Sequence, residues 1–102
     1  MSEFTAHLFQ TNASNAASGG GSTALTSSGD SYEAKVAWKI NGVGDVKAQL
    51  KGKGVTQGGV TVIALSSPEL QLTLVKNPYE SRVSYAGCAA YGGVIYNLIL
   101  VA

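Results

Sequence analysis

A chain of 102 residues, 45% apolar and only 13% charged, is the size of one domain and can bury a core without disulfides or metal. Its net charge of +1 gives no strong whole-molecule field for a polyanion or an anionic bilayer. Its single cysteine, Cys88, excludes an intrachain disulfide and a thiolate metal cluster.

Residues 3–10 alternate, with Phe4, Ala6 and Leu8 on one side and Glu3, Thr5 and His7 on the other. That is strand periodicity, broken at Phe9. Residues 11–30 are almost entirely Asn, Ala, Ser, Gly and Thr around Gly19-Gly20-Gly21. Such composition predicts a Gly/Ser-rich loop or flexible segment, the alternative being a weak hairpin that turns at the glycines.

Residues 31–41 carry the clearest signal. Tyr32, Ala34, Val36, Trp38 and Ile40 share one face, and Glu33, Lys35 and Lys39 lie on the other. Asn41-Gly42 suits a tight turn, after which Val46, Ala48 and Leu50 alternate with Asp45, Lys47, Gln49 and Lys51. The pair is an antiparallel hairpin. Gly52-Lys53-Gly54 predicts a turn, and Gly58-Gly59 a second turn or a bulge. The run Val60–Leu65 predicts a strand buried on both faces, ended by Ser66-Ser67-Pro68.

Leu70, Leu72 and Leu74 then alternate with Glu69, Gln71 and Thr73 up to Asn77-Pro78. In the next strand Tyr79, Val83 and Tyr85 share a face, which assigns them to the core. Gly87–Gly93 predicts a small-residue loop around Cys88 and Tyr91, with the cysteine buried and inert. Val94–Val101 is β-branched and apolar on both faces, so strand is preferred to helix. The total is seven to eight short antiparallel strands at regular spacing, which predicts a single all-β domain built as a small two-sheet sandwich or barrel.

Catalytic chemistry is hard to assemble from these residues. A triad would have to recruit the one histidine, His7, with Asp30 or Asp45, and no Gly-x-Ser-x-Gly elbow exists. No phosphate loop, dinucleotide fingerprint or metal-ligand spacing occurs, so no catalytic, cofactor or metal residue is assigned and an enzyme is not expected. Asn12-Ala13-Ser14 matches a glycosylation acceptor but needs a secretory route. The first residues lack a basic region and an apolar core, so no signal peptide is expected. That points to the cytoplasm, or to release by lysis as part of a virion.

Three surfaces stand out. Lys35, Lys39, Lys47 and Lys51 share the polar face of one hairpin, followed by Lys53. They form a candidate polyanion face, although a solvated sheet edge guarded by lysines is the plainer account, and nucleic acid is not favoured. Tyr91 is a candidate ligand contact, for a glycan, if it stands in a loop. Ile95, Ile99 and Val101 are the candidate oligomer interface, because a strand apolar on both sides must have both sides covered. Leu98 and Leu100 belong to the domain's own core on this reading. Self-association as a structural subunit of a virion, fibre or filament is therefore the favoured expectation. A lectin-like or protein-binding module is the alternative.

Overall fold

The computed structural model describes residues 2–10, 17–79 and 81–102. Eight strands follow one another: β1 (Ser2–Gln10), β2 (Ala17–Ser28), β3 (Ser31–Ile40), β4 (Gly44–Gln57), β5 (Val60–Ser66), β6 (Leu70–Lys76), β7 (Val83–Tyr91) and β8 (Val94–Val101). Each pairs antiparallel with the next, and β8 pairs back onto β1, so the sheet closes into an up-and-down barrel. The expected all-β domain is thus a barrel.

Period-two patterning decides which side chains fill it. On β3, Ala34, Val36, Trp38 and Ile40 are buried and their neighbours exposed. Leu70, Leu72 and Leu74 repeat this on β6, and Tyr96, Leu98 and Leu100 on β8. Eight strands leave an interior about wide enough for side chains to fill, and here it is filled by leucines, isoleucines, valines, Trp38 and Tyr96. Within this apolar interior Trp38 Nε1–H on β3 donates to Thr23 Oγ1 on the adjacent strand β2 at 2.9 Å. Phe4 and Tyr85 meet edge to face at its border, centroids 5.5 Å apart.

Several expectations fail for one reason, the use made of glycine. The segment 11–30 is not a flexible loop over its described part. Residues 17–28 form β2, the glycines lie within the strand rather than at a turn, and the turn falls at Gly29-Asp30. Gly52-Lys53-Gly54 is no turn either, because β4 runs through it to Gln57. Gly87–Tyr91 is the second half of β7, with the turn at Gly92-Gly93. At these places the backbone of the adjacent strand lies where a side chain would be. A Cβ on Gly21 would run into the Ala37 carbonyl oxygen, one on Gly52 into that of Ala64, and one on Gly87 into that of Thr73. Glycine inside a strand marks such close approach and lets a curved sheet bend shut.

Two burial expectations also change. Val60–Leu65 is not buried on both faces: Ile63 and Leu65 point inward, while Val60, Val62 and Ala64 are exposed. Tyr79 precedes β7 and is 80% exposed, so it is no core residue. Its backbone N–H donates to Asn77 Oδ1, and Asn77 Nδ2–H donates to the Val83 carbonyl, which braces the β6–β7 connection. The sequon Asn12–Ser14 lies outside the described residues.

Candidate interaction surface

A filled interior moves any function to the outer wall and the turns. Among the described residues no three His, Cys, Asp or Glu side chains converge as a metal site, and no helix is long and apolar enough to cross a membrane. His7 and Asp45 share one outward row, through Gly20 and Lys39, but stand three strands apart, about 14 Å across the sheet. Asp30 sits in the turn between β2 and β3. Neither carboxylate stands beside the histidine in the strand ladder.

The outer wall divides into two unlike halves. On β3 and β4, Lys35, Lys39, Lys47, Lys51 and Lys53 are all exposed. Strand register brings them together in order: Lys53 opposite Ser31, Lys51 opposite Glu33, Lys35 opposite Gln49, Lys47 opposite Ala37, and Lys39 opposite Asp45. Every outward row across the hairpin therefore contains one lysine. Lys51 Nζ lies 3.7 Å from Glu33 Oε1. Both partners are well exposed, so the pair adds little to stability.

Strands β5–β8 form the other half, where Lys76, the last residue of β6, is the one charged side chain. Register links Val55, Val62, Val75, Ala86 and Ile99 into a continuous outward row, which continues into His7 on β1. Val55 is 64% exposed and Ile95, on the same wall, 55%. The candidate interface residues lie here: Ile95 is exposed, Ile99 and Val101 are half-buried, and Leu98 and Leu100 are inside.

Sequence reasoning missed Val55, Val62 and Val75. The supposed turn at 52–54 hid the strand that carries Val55, and an unbroken apolar run hid the outward phase of Val62. Two further expectations are corrected. Tyr91 is not in a loop: it is the last residue of β7, paired with Leu70 and Val94 and packed against the core. Cys88 is half-buried rather than buried, and points outward between Thr73 and Asn97. A shallow open depression lies beside it on the same wall, between Ala64, Ser66, Gln71 and Thr73. The Tyr85 phenol is raised above its ordinary pKa by burial, with the charge of Tyr32 as a second cause. Compared with protein-family models, curated proteins and solved structures, the chain matches none.

Proposed function

We propose that this protein is a non-catalytic structural subunit that assembles with copies of itself, as a component of a virion, fibre or filament. The supporting observation is the uncharged apolar row Val55–Val62–Val75–Ala86–Ile99, continuous across five strands of a barrel whose core needs none of it. An exposed β-branched face of this kind associates unless it is covered. A second copy is the occupant that matches it in chemistry, because the face offers nothing to a charged partner. Val62 and Ile99 are three strands apart, roughly 135° around an eight-stranded wall, so one flat neighbour cannot cover both. Contacts to two neighbours, head to tail, close a ring or extend a filament.

The glycan-binding alternative has less behind it, since Tyr91 closes a strand. Light scattering coupled to size exclusion tests the proposal. The wild type is expected well above its 10.4 kDa monomer mass, and Ile99→Lys and Val62→Lys are each expected to give smaller, folded species. Mixing the two variants should restore a dimer, because each retains the patch the other has lost. A wild type that stays monomeric at high concentration overturns the assembly role. An oligomer indifferent to Val62→Lys overturns the head-to-tail arrangement alone.

A further inference from the structure

We infer that the outer face of the β3–β4 hairpin binds the phosphate backbone of a single-stranded nucleic acid without reading its bases. Closure of the barrel removes the plainer reason for lysines here, since β3 and β4 each have a partner on both sides and guard no sheet edge. Five of the chain's seven cationic side chains nevertheless sit on this one face. With Glu33 and Asp45 set against them the face carries +3, and the rest of the chain −2, for the net +1. The charge is concentrated rather than balanced.

Its arrangement selects the ligand. Outward rows are two residues apart, about 7 Å, so five lysines in successive rows make a line about 27 Å long and one hairpin wide. A duplex advances about 3.4 Å per phosphate along its axis while each strand winds around that axis, so its successive phosphates do not follow a straight line. An extended single strand can stretch to set one phosphate against each lysine. A lipid surface would instead reward a broad basic patch with apolar anchors along it. The outer positions beside the line are instead Ser22, Ala24 and Thr26 on β2 and Ser66 and Ala64 on β5, with the exposed Val55 and Val62 lying only past its Lys53 end. Lysine binds phosphate as a point charge. The hairpin's aromatic side chains, Tyr32 and Trp38, face inward, which leaves nothing on this face for bases to stack on. Affinity therefore comes from the backbone alone.

This inference does not rest on self-assembly. Its test is fluorescence anisotropy with a labelled oligothymidylate. For three to five phosphate contacts, affinity should fall roughly 20- to 100-fold between about 50 and 200 mM salt. Lys35→Glu with Lys47→Glu should weaken binding at least tenfold, whereas Lys76→Glu, off the line, should leave it within about twofold. Circular dichroism checks each fold. Should the double reversal not fold, Lys35→Gln with Lys47→Gln replaces it, with the same direction expected. No binding at low salt overturns the inference, as does equal loss in Lys76→Glu. Lysine-dependent binding to phosphatidylserine vesicles but not to the oligonucleotide also overturns it.

Discussion

The Trp38–Thr23 hydrogen bond permits a quantitative test of how the barrel interior is built. Thr23 is wholly buried and Trp38 is 2% exposed, in a core otherwise of apolar side chains. Thr23→Val keeps the shape but strands the indole N–H, at a cost of about 1–3 kcal/mol. The added methyl returns about 0.8 kcal/mol or less. Trp38→Phe removes the donor, strands the Thr23 hydroxyl and leaves a void. The double variant removes both polar groups and is left with the void alone. It should therefore be less destabilised than the sum of the single variants by about 1–2 kcal/mol. Each kcal/mol moves the melting temperature by roughly 4–8 °C in a domain of this size. Trp38 is the chain's one tryptophan, so the unfolding curves should be followed by far-ultraviolet circular dichroism rather than indole fluorescence. Single-variant effects that add to within about 0.5 kcal/mol would refute the account of the bond as a coupled, desolvated pair.

Trp38→Ala, which deletes the whole ring, should cost about 3–5 kcal/mol, measured by urea denaturation. Gly52→Ala should cost about 1–3 kcal/mol through the clash with the Ala64 carbonyl, and a melting temperature equal to wild type would show that the sheet is not tightly bent there. Leu98→Lys should prevent folding, while its neighbour Ile99→Lys stays folded by circular dichroism, because the two point to opposite sides of the wall. The raised Tyr85 pKa means that the folded state holds the phenolic proton after the unfolded chain has released it. Stability should therefore decline as pH rises above the ordinary tyrosine value of about 10. Tyr85→Phe should flatten that decline, and an unchanged alkaline melting profile would count against it.

The fold was legible wherever side chains alternate in polarity. Residues 31–51 and Leu70–Leu74 read directly as half-buried strands, because period two is a property of the chain itself, and Val94–Val101 read as a strand from its β-branched residues instead. Glycine was the source of error. The same residue serves a turn at Gly58-Gly59, where φ is positive at both positions, and a close strand approach at Gly52, which only the neighbouring strand reveals. No local pattern separates these uses. The lysine line was visible as a face, but its one-per-row spacing depends on the pairing of β3 with β4. The apolar row depends on five strands at once: the sequence marks Ile99 as an interface residue and places Val62 in a doubly buried run, while Val55, Val75 and Ala86 carry no signal of their own.

Ring closure sets the first strand, β1, beside the last, β8, with Thr5 directly opposite Val101. All other pairings join sequence neighbours. A short peptide linking tail to head, with a new opening cut at the Gly58-Gly59 turn, would leave every strand pair intact. Such a circular permutant should fold to the same barrel. It would convert the slowest contact to form, the one spanning nearly the whole chain, into a local hairpin, at the expense of making β4–β5 the long-range closure instead. Folding rates of the two connectivities would then report which seam of the cylinder is harder to zip.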